Sequence, residues 1–232
     1  MSSEQTNLRA WTAYGTHHLH RRTDVPDVDR LAWGLWEGGP GAEILGSLEG
    51  RRVLDLGSGI GKHAAHLVRE HGARVDAVDA SPSQYQRATE RYGDLPGLNL
   101  ILSDAVKHLQ RAEPYDVIYS IHGIAYLDPH RLLPALAAAL KPGGRLVASV
   151  IHTNSGGLGP STTVTPRPEV LPLAGGGQLT AEMWVLTPGL WEDLFVEYGL
   201  VVDQVDTLTA PDNPYTCAVF QVRPAHPQEP HQ

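Results

Sequence analysis

Three glycines at every second position, Gly57, Gly59 and Gly61, follow Asp55 in the run Val53-Leu54-Asp55-Leu56-Gly57-Ser58-Gly59-Ile60-Gly61. Strand-type residues lead into the glycines, and a helical pattern follows at once. Glycine tolerates backbone angles closed to other residues and leaves room for a ligand or a close helix–strand contact. The start of the helix is expected to add free backbone N–H groups, beside which negative groups are stabilised. These are the parts of a nucleotide-type site.

Spacing narrows the ligand. A dinucleotide fingerprint, G-x-G-x-x-G, needs glycine at position 62, where Lys62 stands. The pattern here is D-x-G-x-G-x-G, and an acid inside the loop repels a pyrophosphate. A ligand with an amine and no phosphate suits it better, and S-adenosylmethionine (SAM) fits. The competing explanation is a bare tight turn in an α/β protein.

The flanking elements supply further acids. Arg74-Val75-Asp76-Ala77-Val78-Asp79 reads as a second strand, and its last acid stands where open α/β sheets place a carboxylate for ribose hydroxyls. A third strand, Leu98 to Leu102, ends in Ser103-Asp104-Ala105, which places Asp104 to accept from an adenine amine. A fourth strand, Asp116 to Ile121, contains Ser120 and follows Pro114-Tyr115. The run Leu140-Lys141-Pro142-Gly143-Gly144-Arg145-Leu146-Val147 reads as a helix end, a tight turn and a fifth strand.

With these segments in place, the chain resembles the class I SAM-dependent methyltransferases of small-molecule type. The resemblance rests on VLDLGSGIG (53–61), VDAVDASPSQ (75–84), LSDA (102–105), YDVIYSIHG (115–123) and LKPGGRLVASV (140–150), in the family's order. It implies an α/β fold: a Rossmann-like, doubly wound seven-stranded sheet of order 3-2-1-4-5-7-6, its seventh strand antiparallel, with helices on both faces. It implies that Gly57, Gly59 and Gly61 contact the cofactor's amino acid end, that Asp79 holds the ribose and that Asp104 lies beside adenine. Ser58 stands where members often carry Cys. The full expected cofactor set is Tyr14, Asp55, Gly57, Ser58, Gly59, Gly61, Asp79, Ala80, Gln84, Ser103, Asp104, Ala105 and Ser120. S-adenosylhomocysteine is the implied product.

Methyl transfer asks mainly for alignment of nucleophile, methyl and sulfur, which binding supplies. A hydroxyl or ammonium acceptor must still lose a proton, and histidine is matched to neutral pH. His122 follows the fourth strand and His152 the fifth, neighbouring strands about 5 Å apart that open toward the same crevice. Either is a candidate base or acceptor-positioning group; a packing role is the alternative for each. His63 and His66 share a helix face and read as the solvated edge of the glycine loop. His17-His18-x-His20 matches no closed zinc site, and no metal is expected. Cys217 reads as core.

Several helices announce their ends. Ile60, Ala64, Leu67 and Val68 make one apolar face, stopped by Gly72. Ser81-Pro82-Ser83-Gln84 is a capping box that opens a helix to about Tyr92. Asp128-Pro129 starts another to Leu140, with Pro134 inside to kink or delay it. Thr187-Pro188 opens a last helix through Tyr198, and strands are expected near 200–208 and 215–222.

Outside this core lie two segments. Residues 8–48 hold Trp11, Tyr14, His17, His18, Trp33 and Trp36. They are expected to form an N-terminal helical lid, with packing on the sheet's flank as the alternative. Residues 153–186, rich in glycine and proline, are expected to form a substrate cap with Met183-Trp184-Val185-Leu186 as an apolar wall. One domain spans 1–232, with core 50–152, last helix and strands 187–223 and a disordered tail 224–232.

Composition limits the partners. With 41% hydrophobic and 19% charged residues, the chain is of ordinary globular type. Its net charge of −8 and the absence of basic runs argue against nucleic acid. No apolar run approaches the ~20 residues of a membrane span. MSSEQTNLRA lacks the parts of a secretory signal, and the single cysteine fits a cytoplasmic location. A monomer or homodimer is expected. Of 18 basic residues three are lysines, which hints at a GC-rich bacterial genome and a secondary-metabolite acceptor. Three alternatives stay open: a SAM-binding enzyme with a non-methylating reaction, a nonenzymatic partner that kept the fold, and methylation of a peptide or protein.

Overall fold

The computed structural model describes residues 2–225. Helix α1 (Ser3–His20) comes first and precedes an irregular stretch with one 3-10 turn at Ala42–Leu45. Strands and helices then alternate: β1 (Arg52–Leu56), α2 (Lys62–His71), β2 (Arg74–Asp79), α3 (Pro82–Tyr92), β3 (Leu98–Leu102), α4 (Ala105–Leu109), β4 (Tyr115–Ile121), α5 (Pro129–Ala138) and β5 (Leu140–Thr153). A separate hairpin, β6 (Arg167–Pro172) and β7 (Gln178–Met183), is followed by α6 (Pro188–Glu197), β8 (Leu200–Thr209) and β9 (Thr216–Pro224).

The central sheet has seven strands in the order β3-β2-β1-β4-β5-β9-β8. Its first five are parallel, and β9 runs antiparallel to both β5 and β8. This is the expected order once the hairpin is set aside. Parallel strands joined by helical crossovers are buried on both faces, which is why Val, Leu and Ile fill them. Leu54, Leu56 and Ile118 pack on one side with Leu132, Leu136, Trp191 and Phe195. Val53, Val75 and Tyr119 pack on the other with Ala64 and Leu67. Each such aliphatic side chain contributes about 1.5–3 kcal/mol by leaving water.

Local signals placed the helices well. Ser81, Asp128 and Thr187 each accept a backbone N–H at an N-cap, with proline next in the chain. Gly72 ends α2 in a left-handed conformation. Helix α5 continues through Pro134, whose missing N–H leaves the His130 carbonyl without its helical partner.

One expectation needs correction. The lid helix begins at Ser3 and ends at His20, while Leu31, Trp33, Leu45 and Leu48 belong to the core beneath the sheet. Trp33 is fully buried, and its indole N–H donates to Gly41 O at 3.0 Å. Met183-Trp184-Val185-Leu186, expected as an apolar wall, are all buried in the core, and Trp184 N–H donates to Ala125 O at 2.8 Å. The expected tail lies outside the described residues beyond Ala225; Pro224 ends β9.

Candidate active site

The carboxyl ends of β1, β2 and β4 converge on the glycine turn. Gly57, Gly59 and Gly61 all have positive φ, at 78°, 56° and 75°. A Cβ on Gly57 would meet the Gly123 Cα at 3.1 Å, so the β4 loop touches the turn directly. At Gly59 the space is open, with Gln84 Nε2 at 4.0 Å as the nearest atom. A Cβ on Gly61 would make ordinary contacts with Leu100, Ala88 and Tyr92 at 3.5–3.7 Å, so its left-handed φ of 75° rather than lack of space is what favours glycine there.

The turn spends its own donors. Gly57 and Ser58 N–H both donate to Val78 O at 2.9 and 3.0 Å, and Gly61 N–H donates to Ser58 O at 2.9 Å. Gly59 N–H donates to Asp79 Oδ2 at 2.8 Å. These four N–H groups of the turn, ahead of the helix start at Lys62, are therefore spent. A phosphate finds no donors there, in line with the repulsion expected from Asp55.

A buried carboxyl, Asp55, and a half-buried one, Asp79, flank the turn. Strand alternation turns Asp55 to the α2 side, next to Tyr119 of β4. Burial raises the Asp55 pKa to about 7; Tyr119 opposes the rise and Asp79 adds to it. The Tyr119 hydroxyl is buried with no aligned hydrogen-bond partner. Asp79 accepts from Ser81 N–H through Oδ1 at 2.8 Å as well as from Gly59. Burial still dominates and lifts its pKa to about 6. A cationic ligand would relieve both acids.

The remaining expected residues divide. Gln84 is buried and borders the turn, with Oε1 accepting from Arg87 Nη1 at 2.8 Å. Ala80 is exposed at the end of β2. Asp104 caps α4 by accepting from Lys107 N–H at 2.9 Å through Oδ1, which leaves Oδ2 for another donor. Ser103 Oγ donates to the Asp104 carbonyl at 3.0 Å, and Ala105 is buried in the core. Ser120 does not face the crevice: its hydroxyl is buried, donates to Leu56 O at 2.7 Å and accepts from Ile124 N–H at 3.2 Å. It braces the loop after β4 because a buried hydroxyl must be satisfied locally.

Among the histidines, His122 stands out. It is 7% exposed, has φ 60°, and both ring nitrogens are buried without a partner. Burial lowers its pKa to about 4, so the ring is neutral at pH 7. His152 lies where the β5–β9 register shifts, with Nδ1 near the Thr153 and Thr216 hydroxyls at 3.1 and 3.2 Å. The two histidines are not joined by a contact. His63 and His66 are not a solvated edge: His63 Nδ1 is buried and unpartnered, and His66 is 7% exposed. Burial, then Lys62, His66 and His122, lower His63 to about 3. Packing of His66 beside Val28 and Asp29 and of His63 toward His122, invisible in helical periodicity, explains the difference. Cys217 is core, its thiol pushed up to about 12 by burial.

Helix α1 packs against the loop after β4 and against β7. Asn7, Trp11, Tyr14 and His18 form one stripe of α1. The Trp11 ring lies 5.1 Å from Tyr14 and 5.3 Å from Tyr126, in the loop after β4. Asn7 Nδ2 donates to Tyr126 O at 2.8 Å and Glu182 O at 2.7 Å, and its Oδ1 accepts from Glu182 N–H at 2.7 Å. One side chain thus pins α1 to both the β4 loop and β7, a link that no local motif signals.

Residues 53–144 match a family model described as a methyltransferase domain. Over that stretch the chain is similar to the class I SAM-dependent methyltransferases. It is 28% identical over 133 residues to the O-methyltransferase rstn1 of Aspergillus nomiae, covering 56% of each chain. It is 36% identical over 114 residues to the methyltransferase GfsG of Streptomyces halstedii, covering 47% of this chain and 41% of that one. The chain thus spans about half the length of the curated relatives it matches. Its fold is similar to that of the [4+2]-cyclase SpnF, with a TM-score of 0.68, 14% identity and 97% of each chain covered.

Proposed function

We propose that this chain transfers a methyl group from SAM to a small-molecule acceptor in the synthesis of a bacterial secondary metabolite. The observation that carries the reading is the Asp79 carboxylate, held by Gly59 and Ser81 N–H groups beside the open space at Gly59. The residues fit the cofactor. Each Asp79 oxygen keeps a lone pair for a ribose hydroxyl, Asp104 keeps Oδ2 for an adenine amine, and the Asp55–Asp79 pair favours a cation. Tyr14, on α1 beside Trp11 and His18, is proposed to cover the site.

SAM, when bound, supplies a methyl group on a sulfonium centre. The protein's part is to orient and to handle the proton. His122 is neutral at pH 7, with an unpaired ring nitrogen to accept a proton from an acceptor hydroxyl or ammonium. A base of low pKa suffices, because the acceptor's proton becomes strongly acidic as its heteroatom is alkylated. Helix α1, held by Asn7, keeps bulk water from the crevice. His152, with Nδ1 tied to two threonines, is assigned an orienting role. The residues leave O-, N- and C-methylation equally open. The chain is proposed to act in the cytoplasm as a monomer or homodimer.

Calorimetric titration with SAM, followed by mass spectrometry of acceptor pools for a methyl mass gain, tests the proposal. Binding without S-adenosylhomocysteine release with any acceptor would favour the second reading, a non-methylating reaction at the same site. The full-length likeness in fold to a cyclase keeps that reading in play.

A further inference from the structure

Arg87 is a cation without a counterion. It lies on α3, half-buried, and takes part in none of the ion pairs among the described residues. Its one hydrogen bond joins Nη1 to Gln84 Oε1 at 2.8 Å, which leaves most of its five N–H donors unused. Desolvation lowers its pKa from the ordinary arginine value.

The packing of α1 on α3 explains what surrounds it. Ser83 Oγ donates to Thr12 O at 2.8 Å, and Gly15 sits so close that a Cβ there would lie 2.3 Å from Ser83 Oγ. One turn further along each helix stand His18 and Arg87. His18 is only 8% exposed; its Nδ1 pairs with Thr23 Oγ1 at 3.1 Å, while its Nε2 is buried with no partner. Burial first, and the Arg87 charge second, lower the His18 pKa. The Tyr14 ring lies 4.5 Å from His18. An orphaned buried imidazole nitrogen and an unpaired, partly desolvated charge are both costly.

A planar oxyanion resolves the imbalance. A guanidinium fork matches a carboxylate or phosphate in two parallel hydrogen bonds, and a neutral imidazole N–H adds a third. The cluster also borders the crevice, because Gln84, the partner of Arg87, is the residue nearest the open side of Gly59. In a protein of net charge −8, this is a local positive spot beside a reaction site.

We propose that Arg87, with His18 and Tyr14, forms the subsite for a carboxylate or phosphate group on the methyl acceptor, so that the substrate is an anionic small molecule. This rests on the methyl-transfer reading above. The same oxyanion chemistry is present in the cofactor's own carboxylate. Titration of protein that already holds S-adenosylhomocysteine, whose own carboxylate is then in place, separates the two sources.

The test is calorimetry on protein saturated with S-adenosylhomocysteine, titrated with benzoate, inorganic phosphate and, as an uncharged control, benzyl alcohol. Saturable binding of at least one anion is expected in the wild type. In Arg87→Gln it should weaken at least tenfold, with cofactor-product affinity held within twofold and benzyl alcohol unchanged. An equal loss of cofactor-product affinity would assign the guanidinium to the cofactor and overturn the proposal. So would anion binding indifferent to Arg87→Gln, or none in the wild type. His18→Asn carries the same comparison if Arg87→Gln does not fold. Failure of the wild type to bind S-adenosylhomocysteine would instead strike the methyl-transfer reading itself.

Discussion

Asp79 Oδ2 accepts a 2.8 Å hydrogen bond from the backbone N–H of Gly59. The acid that ends β2 and the glycine turn that follows β1 are therefore one unit. The side chain expected to hold a ribose also fixes the loop on which the ribose would rest. Replacing Asp79 disturbs both at once, so substitutions in the turn separate structure from binding more cleanly.

Gly59→Ala places a methyl group in open space at φ 56°, whereas Gly61→Ala places one in ordinary contact with Leu100 at 3.5 Å. Both should lose about 1–2 kcal/mol of stability through the left-handed backbone. Only Gly59→Ala should lose S-adenosylhomocysteine affinity by tenfold or more. Thermal melts and calorimetric titration of the two variants check this contrast.

The two acids beside the turn set a pH dependence. Because the native pKa values of Asp55 and Asp79 are raised to about 7 and 6, the folded, ligand-free protein holds protons that the unfolded chain releases near 4. Their contribution to stability is full below pH 4 and is lost as pH rises toward 7, at up to about 1.4 kcal/mol per pH unit for each acid. Asp55→Asn should remove its share of that slope and raise the melting temperature at pH 7.5, while weakening SAM binding. A cationic ligand should release protons between pH 6 and 7, seen as a binding heat that varies with the buffer's ionisation enthalpy.

Replacing His122 by Asn keeps a residue that tolerates the left-handed backbone at φ 60°. Methyl transfer should fall a hundredfold or more, in the usual range for loss of a general base, with S-adenosylhomocysteine affinity unchanged. In the wild type, the pKa of about 4 leaves rates independent of His122 ionisation from pH 6 to 8. Single-turnover rates with an identified acceptor decide the matter; wild-type rates in the Asn variant would eliminate His122 as the base.

Asn7→Ala removes three hydrogen bonds that join α1 to Tyr126 and Glu182. At about 1 kcal/mol each, their loss should leave the sheet folded and free the lid. Faster amide exchange confined to α1, together with faster cofactor-product dissociation, is the expected signature.

Much of this arrangement was legible because it is local. The spacing of Asp55 and three glycines, the Ser81-Pro82 and Thr187-Pro188 caps and the β-rich runs between them are set within a few residues. The β6–β7 hairpin was hidden because Pro168 and Pro172 fall inside β6, where proline ordinarily argues against a strand. The burial of His66 beside Val28 and Asp29 and the approach of His63 to His122 both depend on residues distant in sequence, of which helical periodicity carries no trace. The turn's hydrogen-bond balance was misread for a related reason. Whether Gly57 and Ser58 N–H groups are free depends on Val78, a residue of the neighbouring strand.

That balance bears on competition inside a living cell. Adenine-containing metabolites share most of their surface with SAM, and many are far more abundant. A loop that kept its amide hydrogens unpaired would capture any of them by the phosphate. Here a phosphate meets the Asp55 carboxyl and four amides, at Gly57, Ser58, Gly59 and Gly61, whose hydrogen bonds are already made. On the proposed reading the turn sorts adenosine compounds by what it withholds, so the space at Gly59 can stay open.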